Sequence, residues 1–140
     1  MRNLKVILLI VVGLLAFRYS SYAQCDAQAE LCDRYFTSEY ISDGQEYRAL
    51  LHGDQEAEFS TTLFGGNTYR IAACSGEDAG DLIFTVKDSE GNILFSSVGF
   101  GNAPYWDFVI ENTLEITISA RLDQNKKESG CAVVLIGFKQ

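Results

Sequence analysis

The sequence predicts an all-β protein: a two-sheet antiparallel β-sandwich of jelly-roll type, with about eight strands and one short N-terminal helix. Beyond residue 44 apolar residues recur with a period of two, and turn-forming residues separate these runs at short intervals. Strands with one apolar face each must bury it against a second sheet. The predicted strands are Glu46–Leu51, Ala57–Leu63, Thr68–Cys74, Leu82–Lys87, Ile93–Ser97, Trp106–Ile110, Leu114–Leu122 and Cys131–Phe138.

The first residues form a pattern typical of a secretory signal peptide. Arg2 and Lys5 precede an apolar run over residues 6–17, and Ser21 and Ala23 provide the small side chains expected before a cut at Gln24. The run is about a dozen residues long, whereas a membrane-spanning helix needs roughly 20. We therefore expect residues 1–23 to be removed and the mature chain, without a stable membrane span, to be periplasmic or extracellular.

Two further regions follow the predicted signal peptide. Residues 24–44 are predicted to be a helical segment packed on the domain, because Ala29, Cys32 and Phe36 recur at helical spacing. Tyr35, Phe36 and Tyr40 form an aromatic group that would pack this segment across one end or face of the sandwich. Residues 45–140 are predicted to form the β-sandwich domain, and the 117 residues that remain after removal of residues 1–23 are enough for one hydrophobic core.

The chain is strongly acidic. Its formal net charge is −8, and removal of residues 1–23 takes away three basic residues and no acidic one, leaving 8 basic and 19 acidic residues and a net charge of −11. Such a charge repels nucleic acid and anionic lipid. Solubility outside the cell accounts for the acidity, and a cationic partner or bound cations are the alternative.

All four cysteines lie in the predicted mature chain, where disulfides persist. Cys25 and Cys32 are seven residues apart, or about 10 Å along a helix, which is too far for a disulfide between them. Either the segment bends near Cys25, or the two cysteines reach separately to Cys74 and Cys131. A Cys74–Cys131 bridge is favoured, because each lies at the end of a predicted strand. Zinc is disfavoured, because there is no C-x-x-C motif.

Turn chemistry and strand patterns add detail. Gly65-Gly66-Asn67 and the run Asp88–Asn92 are both predicted to close hairpins. The run Ala132–Ile136 is continuously apolar, as expected of a strand covered on both faces. The polar stretch 123–130 is predicted to be a hairpin tip and the most mobile one.

Three segments together resemble bacterial pre-peptidase C-terminal domains: Phe59–Ile71 with its glycine turn, Leu82–Leu94 with its Asp-Ser-Glu-Gly-Asn hairpin, and the final aliphatic strand. The resemblance covers roughly residues 45–138. It implies a jelly-roll β-sandwich of a kind found mostly as accessory modules of secreted enzymes. No peptidase is attached here, so the accessory role does not transfer directly. The segments Ala23-Gln24, Tyr105–Phe108 and Gly130–Lys139 are also similar to small stand-alone exported proteins of Bacteroidetes-type bacteria, which implies no specific activity.

No catalytic residues are predicted. His52 is the single histidine and stands beside a turn, where a solvated role is the ordinary one. The sequence contains no glycine-rich phosphate loop and no metalloprotease histidine pair. No cofactor is expected, with calcium as the alternative, because Glu77, Asp78 and Asp81 in one loop offer hard oxygen ligands. The presence of these acidic residues is explained equally by turn formation without a bound ion.

Aromatic residues near the single proline form the best candidate ligand site. Phe100, Tyr105 and Trp106 flank the loop 101–104, and Asp107 follows as a polar acceptor, a combination that suits sugar rings. Strand alternation would place Trp106 and Phe108 on the core side, which weakens this interpretation.

We therefore expect a non-catalytic exported β-sandwich with a binding or structural role. The alternatives are a carbohydrate-binding module that uses the loop aromatics and a small secreted inhibitor or immunity-type protein. The corresponding partners are a glycan or an envelope or extracellular protein.

Overall fold

The computed structural model describes Met1 and residues 20–140. The apolar run of the predicted signal peptide lies outside these residues. Within them, one helix, α1 (Ser20–Cys32), is followed by a 3-10 turn (Asp33–Tyr35) and eight strands, with a second 3-10 turn (Ser97–Phe100) between the fifth and sixth strands. The strands are β1 (Tyr40–His52), β2 (Glu56–Leu63), β3 (Asn67–Cys74), β4 (Leu82–Asp88), β5 (Ile93–Ser96), β6 (Tyr105–Ile110), β7 (Leu114–Leu122) and β8 (Ser129–Lys139). The predicted number of strands and the single short helix are confirmed.

The strands form two antiparallel four-stranded sheets in jelly-roll order. The first sheet runs β1-β8-β3-β6 and the second runs β2-β7-β4-β5. Most consecutive strands therefore cross from one sheet to the other, as in two interlocked Greek keys. The predicted β-sandwich of jelly-roll type is confirmed. β5 and β6 lie at one lateral edge of the sandwich, and β1 and β2 lie at the other.

The two predicted hairpins have different outcomes. β4 pairs with β5 around Gly91, which has a φ of 85°, so the hairpin over Asp88–Asn92 is confirmed. The Gly65-Gly66 prediction is wrong, because β2 and β3 belong to different sheets. Gly65 is instead required for a close approach, since a Cβ there would lie 2.6 Å from the carbonyl oxygen of Glu111.

The core lies between the sheets and consists of alternate residues of each strand. Its fully buried large side chains include Phe84, Ile71, Ile118 and Ile136. β8 is buried along Ala132–Ile136, because β1 and β3 flank it and α1 covers its outer face. This confirms the interpretation of its apolar run as a strand covered on both faces.

Two disulfides fasten α1 to the outer face of the first sheet. Cys25 pairs with Cys131 and Cys32 pairs with Cys74, with Cα–Cα distances of 5.4 and 5.9 Å. The favoured Cys74–Cys131 bridge is therefore wrong, and the alternative, in which the two helix cysteines reach separately, is confirmed. The β3–β8 register places Cys74 opposite Val133, so Cys74 and Cys131 are offset along the sheet and both face the helix.

The disulfides compensate for the small apolar surface that residues 25–32 of α1 bury. Among residues 25–32, the buried positions are Cys25, Ala29 and Cys32. The bridges span 106 and 42 residues of sequence. Loops of that size reduce the entropy of the unfolded chain by an amount worth on the order of 4 kcal/mol each.

The boundary of the N-terminal segment needs correction. β1 begins at Tyr40 and not at Glu46, so residues 40–44 of the predicted helical segment belong to the sheet. A bulge between Ser42 and Glu46 interrupts the pairing of β1 with β8 and obscures the period of two in the sequence. Within the described residues, no helix is both long enough and apolar enough to cross a membrane.

Candidate functional site

An arginine held between tyrosine rings lies on the outer face of the first sheet. Arg70 on β3 pairs with Asp107 on β6 through two hydrogen bonds, of 2.7 Å from Nε and 2.8 Å from Nη2. Its Cζ lies 4.2 Å from the centre of the Tyr40 ring and 4.3 Å from that of Tyr105. A third hydrogen bond, of 2.7 Å, runs from Nη1 to the carbonyl oxygen of Tyr35. We call these five residues the Arg70 cluster.

Strand register explains the cluster. Arg70 and Asp107 are directly opposed in the β3–β6 pair, so both side chains leave the sheet on the same face. The chain between α1 and β1 then crosses this face and brings Tyr35 and Tyr40 over the guanidinium. The predicted packing of the aromatic group Tyr35, Phe36 and Tyr40 across a face of the sandwich is confirmed, since Phe36 also lies against Gly137 of β8.

The electrostatics of the cluster favour its ionised form. Hydrogen bonding to Arg70 lowers the pKa of Asp107, and the bonds to Asp107 raise the pKa of the arginine. Loss of water contact raises the pKa of Tyr40, and the negative charge of Asp107 acts in the same direction. Asp107 is therefore a carboxylate engaged in two hydrogen bonds with Arg70, which suits it to fixing strand β6 against β3.

The predicted ligand site is divided between two faces. Tyr105 and Asp107 point outwards into the Arg70 cluster, while Trp106 and Phe108 point towards the core, as their alternation predicts. Phe100, in the 3-10 turn Ser97–Phe100, lies 4.3 Å from Trp106 between ring centres. An open groove of about 490 Å³ lies over residues 103–107. The four predicted residues are thus close together, but they do not form one flat platform.

The predicted calcium ligands and His52 are not part of the Arg70 cluster. Within the described part of the chain, no group of three or more His, Cys, Asp or Glu side chains is arranged to hold a metal ion. Glu77, Asp78 and Asp81 share one loop without converging, so calcium binding stays a prediction with no preformed ligand cluster. His52 is exposed at the end of β1, and its backbone N–H bonds to the side chain of Gln55.

The loops at the Phe100 end of the sandwich are joined to one another. Asn102 donates to Gly80 O at 3.2 Å and to Asp123 Oδ2 at 2.9 Å, and Asp123 N donates to Asp81 O at 2.9 Å. Lys127 donates to the carbonyl oxygen of Ser75. The stretch 123–130 is not the predicted hairpin tip, because β7 and β8 belong to different sheets. It is hydrogen-bonded to the two neighbouring loops.

Sequence reasoning missed the central residue, Arg70. A signal was present, because Arg70 is the single charged residue in β3. Strand alternation places its side chain on the outer face of the sheet, together with Thr68 and Ala72. An outward arginine in such a strand requires a carboxylate partner or water. The identity of that partner depended on the β3–β6 register, which no local pattern specifies.

The comparisons with known proteins concern the fold. No family model and no curated protein match the sequence. The resemblance to pre-peptidase C-terminal domains therefore stays a prediction.

Similar solved structures include Aeromonas hydrophila PliG, a periplasmic lysozyme inhibitor of g-type lysozyme. It is 10% identical with a TM-score of 0.53, over 74% of this chain and 91% of that chain. Salmonella Typhimurium PliG, with the same description, is 14% identical with a TM-score of 0.46, over 71% and 93% of the two chains. The first similarity shows a shared β-sandwich fold, and the second is too weak to support an argument.

Proposed function

We propose that this chain is an exported, non-catalytic protein-binding domain that inhibits an enzyme of the lysozyme type. The observation that carries the proposal is a concentration of exposed apolar side chains on an otherwise polar and acidic sandwich. Six of the ten exposed large apolar side chains of the described residues fall between Ile93 and Val109. Clustered apolar exposure is typical of protein-interaction surfaces.

The choice of partner class rests on fold and charge together. PliG, with which the chain shares a fold, is a periplasmic inhibitor of g-type lysozyme. An inhibitor needs a stable surface and no reactive groups of its own, which suits a disulfide-fastened sandwich whose Arg70 and Asp107 are engaged with each other. The net charge, −8 for the full chain and −11 once residues 1–23 are removed, favours association with a basic enzyme.

An inhibition assay tests this proposal. The exported chain, purified with both disulfides formed, is mixed with g-type lysozyme, and lysis of a peptidoglycan suspension is followed by turbidity. We expect lysis to slow in proportion to added protein, with a reduced and unfolded sample as the control. Unchanged lysis at a large molar excess of the folded protein would contradict the proposal.

A second candidate function, glycan binding, is favoured by one observation. The open groove of about 490 Å³ is lined by Tyr105, Trp106 and Asp107, side chains that contact sugars through rings and a polar acceptor. A glycan array with the wild type and Tyr105→Ala, run with and without calcium, tests it. Binding that Tyr105→Ala abolishes would support this function, and an array without specific signals would exclude it.

A further inference from the structure

The lateral edge formed by β5 and β6 carries six of the ten exposed large apolar side chains of the described residues. We define the edge patch as Leu94, Val98, Phe100, Tyr105 and Val109, with exposed fractions between 38% for Tyr105 and 76% for Val109. Tyr105 and Val109 lie on the outer side of β6, Leu94 lies on the outer side of β5, and Val98 and Phe100 lie in the turn that joins the two strands, so the patch wraps around the edge. β5 is the last strand of the second sheet and β6 is the last strand of the first, so each has a neighbour within its sheet on one side. Exposed sheet edges with apolar side chains are ordinarily shielded or paired with another chain.

The edge patch is rigid before any partner arrives. Phe95 is buried beneath it and contacts Phe100, Trp106 and Phe108, with ring centres 5.4, 4.9 and 5.5 Å apart. At the other side of β6 the guanidinium of Arg70 stacks on Tyr105. Aromatic side chains that are already ordered lose little entropy on binding, which suits them as interface anchors.

Acidic residues outnumber basic residues at both ends of this edge, where Lys87 and Lys126 also lie. Glu90 is in the β4–β5 turn, and Glu111 directly follows β6; both are exposed. At the opposite end the loop that carries Asp78 and Asp81 is hydrogen-bonded to Asn102. A second copy of this chain would bring like charges together across the edge. A basic surface would instead complement them, because opposite charges accelerate association and suppress incorrect partners.

We infer that the edge patch is the docking surface for a basic protein, with its aromatic and aliphatic side chains at the centre of the interface and the acidic residues at the rim. The inference rests on the proposed function and specifies which surface performs it. A stable interface covers about 800 Å² on each partner, so the partner must extend beyond the patch onto this acidic rim.

Matched variants test the surface, with a g-type lysozyme selected for its positive net charge as the probe. Phe100→Ser removes an anchor that is 54% exposed, and Phe64→Ser removes a phenylalanine that is 61% exposed outside the patch. Val109→Lys adds one positive charge on β6, and Ser60→Lys adds the same charge on β2 at the opposite edge. Binding is measured by calorimetry at low and high salt, and urea unfolding shows that each variant is folded.

We expect Phe100→Ser and Val109→Lys to raise Kd about 10-fold or more, while the two controls stay within about twofold. Added salt should weaken the wild-type complex, because the acidic rim contributes. Equal binding by all four variants would show that the edge patch is not the docking surface and would leave the proposed function intact. No binding by the wild type would overturn the proposed function and, with it, this inference. If the wild type is a dimer and Val109→Lys dissociates it, the edge patch binds a second copy of this chain, and the inference of a basic partner is overturned.

Discussion

The two lateral edges of the sandwich differ in the side chains that they present to solvent. At the β1–β2 edge, the charged residues Glu46, Arg48, Glu56 and Glu58 are exposed beside two apolar ones, Ile41 and Leu50, and a bulge interrupts β1. At the β5–β6 edge, the exposed positions are mostly apolar, and a cluster of aromatic rings lies beneath them. Charge and bulges are the usual protection of a free sheet edge, so the β1–β2 edge is built to remain free. The β5–β6 edge lacks most of this protection and is suited to being covered.

The edges also differ in how they are fixed to the rest of the molecule. Arg70, beside β6, has a side chain that is 11% exposed and is held by two tyrosine rings and a carboxylate. Arg48, on β1, has a side chain that is 34% exposed and bonds to Asp26 and Glu46 at the surface. The comparison indicates that the apolar edge is the more rigidly constructed of the two.

The largest expected effect concerns the aromatic base of the apolar edge. Phe95→Ala should lower the free energy of unfolding by about 3–5 kcal/mol, because it opens a cavity beneath Phe100 and Trp106. Phe59→Ala, at the charged edge, should cost about 1–2 kcal/mol, because Phe59 is only half-buried and stacks on Tyr47. Urea denaturation of both variants measures the difference. Equal losses would show that the two edges are equally packed.

The next effect compares the two arginines. Arg70→Ala should lower the free energy of unfolding by about 1–3 kcal/mol, since it removes hydrogen bonds to Asp107 and to the carbonyl of Tyr35. The upper part of this range is discounted by solvent screening, because Asp107 is 37% exposed. Arg48→Ala should cost less than about 1 kcal/mol, as exposed ion pairs do. A larger loss in Arg48→Ala than in Arg70→Ala would reverse the assignment of the rigid edge.

A pH titration sharpens the same comparison. The pKa of Asp107 is lowered below its ordinary value of 3.8, so its ion pair stabilises the fold above that pH and is lost as the pH falls through the folded pKa. The difference in unfolding free energy between the wild type and Asp107→Asn should be constant at neutral pH and shrink once the pH is below 3.8. Chemical denaturation across this range measures it. A difference that persists in strong acid would mean that the ion pair is not its source.

Much of the fold could be predicted from local patterns. The period of two located seven of the eight strands to within about two residues at each end, and the alternation in Tyr105–Phe108 assigned the core side correctly. The patterns failed where the physics is not local. The bulge obscured the start of β1, and the Gly65-Gly66 turn looks the same whether it joins paired strands or crosses between sheets.

The candidate site could be predicted only in part for the same reason. Phe100, Tyr105, Trp106 and Asp107 were found because they are neighbours in sequence. Arg70 was not found, because it meets Asp107 through strand register at a separation of 37 residues. The disulfide pairing likewise depended on where α1 lies across the first sheet, which the spacing of the cysteines left open.

The smallest expected effect separates binding from stability. Val109→Lys and Ser60→Lys both change exposed side chains, so each should alter the free energy of unfolding by no more than about 0.5 kcal/mol. Thermal and urea unfolding measure this. If Val109→Lys were strongly destabilising, Val109 would have a packing role at the edge, and its effect on binding would not report on docking alone.

Hydrogen–deuterium exchange of the complex with g-type lysozyme tests the central claim most directly, because it reports both edges in one experiment. The docking of a basic protein on the edge patch predicts slower exchange in Ile93–Ser96 and Tyr105–Ile110 upon binding, with no change in Glu56–Leu63. Protection confined to β1 and β2, with unchanged exchange in β5 and β6, would contradict it.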